Sequence, residues 1–209
     1  TLTGAGLVSI TGSGSGTWSG GILSGNLATQ GSSTLNLGGG TKYLNGGTLS
    51  NAGTLNWSAG NIEIYADSTL TNSGTLNLGG LTSFGLTTGT GLGGCCSQTY
   101  TLTLNNNGTL NANVGTGNSV FLGNYSSGWA RYGNVALNNN GNLNVNSGTL
   151  AINAGGGAGS GTSAGTFTIA SGAILNFAGG SQTLSSASTE AGAGTLAISG
   201  GTFTGNGAE

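Results

Sequence analysis

One short alternation of polar and apolar positions, T-L-N-Φ with Φ apolar, returns along most of the chain. It reads LSNAGTLNW at residues 49–57, LTNSGTLNL at 70–78, LNNNGTLNA at 104–112 and LNNNGNLNV at 137–145. An earlier copy, TQGSSTLNL, occupies 29–37, and a worn one, IASGAILNF, occupies 169–177. A period of two is strand behaviour, so the apolar residues point one way and Thr and Asn the other. Aligned on their second apolar residue, the copies predict a core column of Leu35, Leu55, Leu76, Leu110, Leu143 and Leu175. An outward column of Asn36, Asn56, Asn77, Asn111, Asn144 and Asn176 follows it, and a second outward column comprises Thr34, Thr54, Thr75, Thr109, Asn142 and Thr202.

The six core positions are spaced 20, 21, 34, 33 and 32 residues apart. Self-similarity at such a period marks a solenoid, whose repeats bury their apolar faces only by stacking. The expected fold is all-β: a parallel β-helix (β-solenoid) of about eight coils, roughly 4.8 Å apart, in a rod about 35 Å long. One domain spans 1–209, with irregular first coils at 1–26, compact coils at 27–78 and coils with lateral insertions at 79–209. The insertions are placed at 79–100, 113–134, 146–165 and 178–194, as loops dispensable for folding.

Each coil is expected to bend at an N-x-G such as Asn51-Ala52-Gly53, because Asn and Gly tolerate positive φ. The bend residues Asn51, Asn72, Asn106 and Asn139 form a further column, and stacked Asn side chains can hydrogen-bond from coil to coil. A third short strand is read at Thr41-Lys42-Tyr43-Leu44 and again at Ile62-Glu63-Ile64-Tyr65. Lys42 and Glu63 lie one 21-residue period apart, which predicts a stacked ion pair.

Composition narrows the function. The chain has 47 Gly, no Pro, Met or His, two basic and four acidic residues, and a net charge of −2. Disorder goes with high charge and few apolar residues, which is not the pattern here. Nucleic acid demands clustered cations, whereas the only two are Lys42 and Arg131, so no nucleic-acid partner is expected. No apolar run reaches the length of a membrane span, and no membrane insertion is expected. Without a signal peptide or initiating Met, the chain reads as a mature or excised segment.

Catalysis is not expected. Glycoside hydrolysis needs paired carboxylates, and of Glu63, Asp67, Glu190 and Glu209 only the first two are near one another in sequence. Two carboxylates alone make a weak calcium site, so neither a metal nor a cofactor is anticipated. Adjacent Cys95 and Cys96 leave three states open: a disulfide with each other, a disulfide to another chain, or free thiols. The segment NSVFLGNYSSGWARYG at 118–133 gathers Phe121, Tyr125, Trp129 and Tyr132 around Arg131. These five residues are the candidate glycan site, since aromatic faces beside a cation suit sugar rings. A satellite core is the competing role for the same aromatics.

At NAGTLNW, NSGTLNL, NNNGTLNA, NNNGNLNV and GTLAISGGTF the sequence resembles the repeats of large bacterial exoproteins of the filamentous haemagglutinin and autotransporter passenger type. The resemblance covers about residues 27–205. It implies a secreted, right-handed parallel β-helix, extracellular or on the bacterial cell surface, serving as a non-enzymatic adhesive stalk or filament segment. Self-association, end to end or laterally, and a host or matrix glycan are the implied partners. Two alternatives stand beside it. One is ice binding through the flat Thr-x-Asn face; the other is a polysaccharide-binding or polysaccharide-degrading β-helix.

Overall fold

The computed structural model describes residues 1–4, 6–79, 85–88, 100–123, 125–126, 131–153 and 159–205. Its first coil contains β1 (Leu7–Ile10), β2 (Ser15–Trp18) and β3 (Gly21–Leu23), and its second β4 (Asn26–Thr29), β5 (Thr34–Leu37) and β6 (Lys42–Asn45). The third has β7 (Thr48–Asn51), β8 (Thr54–Trp57) and β9 (Ile62–Ala66), and the fourth β10 (Ser68–Asn72), β11 (Thr75–Gly79) and β12 (Gly85–Thr88). The fifth has β13 (Tyr100–Asn106), β14 (Thr109–Asn113) and β15 (Ser119–Leu122), followed by β16 (Tyr125–Ser126). The sixth has β17 (Arg131–Asn139), β18 (Asn142–Ser147) and β19 (Thr149–Ile152), and the seventh β20 (Ser160–Ser163), β21 (Thr166–Ile169) and β22 (Ile174–Phe177). The eighth has β23 (Ser181–Leu184), β24 (Thr189–Gly192) and β25 (Thr195–Ile198), with β26 (Thr202–Gly205) above it.

Corresponding strands pair in parallel, so the chain is an all-β solenoid of about eight turns. The first sheet stacks β1, β4, β7, β10, β13 and β17; the second runs from β2 to β24 and the third from β3 to β25. A fourth sheet, β20, β23 and β26, continues the line of the first. Among the described residues no helix is long and apolar enough to cross a membrane.

Leu35, Leu55, Leu76, Leu110 and Leu143 stand in one continuous column of the second sheet, as expected, and each is at most 2% exposed. Burial of such side chains contributes about 1.5–3 kcal/mol each, which is what holds a chain so poor in charge together. Above Leu143, however, the column continues with Phe167 and then Glu190. Leu175 and Asn176 lie on the third sheet instead, opposite Leu150 and Ala151. The copy at 169–177 is thus displaced by one face, and Thr166 and Thr189, not Thr202, extend the Thr column. Thr202 belongs to the fourth sheet, opposite Ser181.

The N-x-G bends do not use positive φ. None of Asn51, Gly53, Asn72, Gly74, Asn106 or Gly108 has it. Glycine is required because successive coils approach closely: a Cβ on Gly74 would collide with the Gly53 carbonyl oxygen, and one on Gly108 with that of Gly74. The segments read as insertions are also not simple loops. They contain β12, β15, β19, β20 and β23, and Val120, Leu122, Leu150 and Ile152 within them are buried. The first coil leaves Leu7 and Val8 exposed and opens on a cavity of about 340 Å³ lined by Leu2, Ile10, Trp18 and Ile22 among others.

Candidate functional site

The most extended polar arrangement is internal. Asn51, Asn72, Asn106 and Asn139 each close a first-sheet strand and turn inward, at most 1% exposed. The Nδ2 of Asn51, Asn72 and Asn106 donates to the Oδ1 of the Asn in the next coil, at 2.7 Å in all three steps. A second proton goes to a main-chain carbonyl, Asn51 to Thr75 (2.8 Å), Asn72 to Thr109 (3.0 Å) and Asn106 to Asn142 (2.9 Å), and Asn139 at the end of the ladder likewise donates to Thr166 O (3.2 Å). Thr29, in the equivalent place one coil below, donates its hydroxyl to Asn51 Oδ1. Both protons of the Asn51, Asn72 and Asn106 amides are used, as a buried amide requires.

A second ladder runs on the outside of the second sheet. Asn56 donates to Asn36 (3.0 Å), Asn77 to Asn56 (2.9 Å), Asn111 to Asn77 (3.0 Å) and Asn144 to Asn111 (2.9 Å). Thr34, Thr54, Thr75, Thr109 and Asn142 stand beside it in register. Asn176 takes no part; its Oδ1 accepts the Ser199 hydroxyl at 2.9 Å.

Where the first sheet ends, side chains replace the main-chain ladder. Asn153, the only non-glycine residue with positive φ (53°) among those described, accepts from Val135 N (2.8 Å) and donates to Val135 O (2.9 Å). Ser163 Oγ accepts from Asn139 N (3.1 Å), and Gln182 Nε2 reaches Ser163 Oγ (2.9 Å) and Leu137 O (3.4 Å). On the outer side Thr162 N donates to Asn138 Oδ1 (3.0 Å). This seam between β17 and β20 was invisible to repeat matching, because its residues occur once.

Of the candidate glycan residues, Tyr125 pairs with Tyr132, and Ser126 with Arg131, in the antiparallel ladder of β16 and β17. The backbone therefore brings Tyr125, Arg131 and Tyr132 together. Phe121 stands apart on the third sheet, opposite Gly85 and Ala151. Trp129 lies outside the described residues, as do Cys95 and Cys96.

The expected Lys42–Glu63 pair is not formed, because the register is one residue different. Lys42 stands opposite Ile62, and Tyr43 opposite Glu63. A slip of one residue reverses the face, and Lys42 points inward, 0% exposed. Its ammonium donates to the carbonyls of Gly38 (3.1 Å), Gly40 (2.9 Å) and Ala59 (3.1 Å), and burial lowers its pKa below the ordinary 10.5. Tyr43 and Tyr65 stack on the outside, with ring centroids 5.1 Å apart, and the Tyr65 hydroxyl donates to Glu63 Oε2 at 3.3 Å. Asp67 Oδ1 accepts from Thr101 N at 2.8 Å. Both carboxylates thus have structural partners, and no three His, Cys, Asp or Glu side chains gather among the described residues.

No protein-family model, curated protein or solved structure matches this chain.

Proposed function

We propose that the chain is a non-enzymatic, extracellular β-solenoid that acts as a rigid stalk within an adhesive bacterial surface protein. The observation that supports this most directly is the buried ladder from Thr29 through Asn51, Asn72 and Asn106 to Asn139. Coil-to-coil bonds of this kind add nothing to a reaction, but they oppose sliding and separation of the coils along the axis. The resemblance of the repeats to filamentous haemagglutinin and autotransporter passengers points to the same role and to the cell surface.

Single-molecule pulling tests the reading. The chain, placed between marker domains of known strength, is expected to hold longer than the markers and then to yield coil by coil. Extension at lower force than the markers would overturn the stalk. Turnover on a panel of polysaccharides, lost in Glu63→Gln, would favour the enzymatic alternative.

A further inference from the structure

We infer that the Asn45–Gly46 corner is a site at which the folded chain modifies itself, by deamidation of Asn45 to aspartate and isoaspartate. The sequence contains four Asn-Gly pairs, at 45–46, 107–108, 140–141 and 206–207, and the last lies outside the described residues. Glycine leaves its main-chain nitrogen unshielded, because it carries no side chain. That nitrogen attacks the side-chain carbonyl carbon of the preceding Asn. A new C–N bond closes a five-membered imide, the bond to the amide nitrogen breaks, and the displaced proton leaves with that nitrogen as ammonia. Water then opens the imide at either carbonyl, giving aspartate or an isoaspartate whose main chain runs through the former side-chain carbon. Water is the only co-reactant.

Exposure alone would make Asn107 and Asn140 react first, since both are exposed and Asn45 is half-buried. Their bonding holds them back. The Gly108 N–H donates to Asn72 O at 3.0 Å and the Gly141 N–H to Asn106 O at 2.9 Å, so both nucleophiles are occupied. The side-chain amides are tied as well, with Asn140 Nδ2 donating to Asn107 Oδ1 at 3.3 Å. Neither glycine has room to shift, because Gly108 lies against the Gly74 carbonyl and Gly141 against the Gly108 carbonyl.

None of these restraints operates at the first pair. Asn45 ends β6 at a bulge, where the register with β9 shifts after Leu44. Gly46 follows at φ 73° and is exposed, and the nearest atom to a Cβ built on it is that of Ala66, at 3.9 Å. Among the described residues neither the Gly46 N–H nor the Asn45 amide has a hydrogen-bond partner. Nucleophile and electrophile are therefore both free to meet.

The rod can also carry the product. Leu44 is buried on one side of the corner, and on the other the Thr48 N–H is bonded to Gly25 O at 3.0 Å. The extra main-chain carbon of isoaspartate is taken up between these fixed points, at Gly46, which faces solvent. The inference is independent of the stalk reading, since it concerns the purified chain alone.

Ageing the chain in mildly alkaline buffer, folded and in parallel in urea, provides the test. Each Asn-Gly pair is followed by peptide mass mapping, with isoaspartate labelled by its methyltransferase. In the folded chain Asn45 should convert at least about tenfold faster than Asn107 and Asn140, because a hydrogen bond that must first break adds a barrier of that order. In urea the three should convert at similar rates, and the aged folded chain should keep its circular-dichroism spectrum. Equal rates in the folded chain, or faster conversion at Asn107 or Asn140, would overturn the inference. So would an Asn45 that stays intact in the folded chain while converting in urea.

Discussion

Asn72 and Asn106, 34 residues apart, meet with Nδ2 of the first 2.7 Å from Oδ1 of the second, and neither is exposed to solvent. Asn106→Ala therefore leaves an Asn72 proton, the Asn139 oxygen and the Asn142 carbonyl without their partner inside the protein. At about 1–3 kcal/mol for each buried group so orphaned, the loss should exceed about 3 kcal/mol. Asn77→Ala breaks the outer ladder, where water replaces the partner, and should cost under about 1 kcal/mol. Urea unfolding of the two variants checks the contrast, and equal losses would contradict it.

Val120→Asp should be as damaging as Leu76→Asp, at several kcal/mol each, because both bury a carboxylate in an apolar layer. Leu76 sits in the recurring motif and Val120 within a segment that reads as an insertion, yet both are at most 1% exposed. Thermal melts followed by circular dichroism decide the matter. A stable Val120→Asp variant would mean that the third sheet is peripheral.

Lys42 gives the chain a pH dependence with a definite sign. Burial lowers its pKa, so between the folded value and 10.5 the unfolded chain holds the proton more often. More protons on the unfolded state make stability rise with pH. The penalty of burying the ammonium is thus full below the folded value and is relieved as pH climbs toward 10.5. Lys42→Met should lack this slope, so the difference between the two urea midpoints should change across the alkaline range. A constant difference would show that the ammonium is not desolvated.

Glu190 occupies the core column of the second sheet directly above Phe167, on the exposed strand β24. An inward-pointing charge on an end strand discourages further pairing. Glu190→Leu should increase concentration-dependent association in sedimentation velocity. An unchanged profile would assign the protection of that edge to something else.

The sequence carried the Leu and Asn columns up to Leu143 and Asn144, because four coils repeat the same letters at the same places. Beyond them the letters mislead. Ile174-Leu175-Asn176-Phe177 has the motif's form but lies on the third sheet, since any strand with one face buried can show that alternation. Lys42 failed for a related reason. The third-sheet register joins residues 20 apart at Lys42 and Ile62, while the first sheet joins residues 21 apart at Leu49 and Leu70. One period cannot serve both faces. The bends were located correctly, but the need for glycine came from neighbouring coils, which a local reading of φ does not contain. The pairing of Tyr125 with Tyr132 follows from the antiparallel ladder of β16 and β17, which no repeat announces.

The seam at Asn153, Ser163 and Gln182 makes the rod mechanically uneven. Across it the second and third sheets remain zipped by main-chain bonds, through β18 with β21 and β19 with β22, while the remaining side is joined by side chains and, at its end, by main-chain bonds from Ala164 and Gly165 to Asn139. A shaft notched on one side resists pulling along its axis but yields to bending that opens the notch. Sideways load that opens this side therefore concentrates between β17 and β20, where the fewest main-chain bonds oppose it.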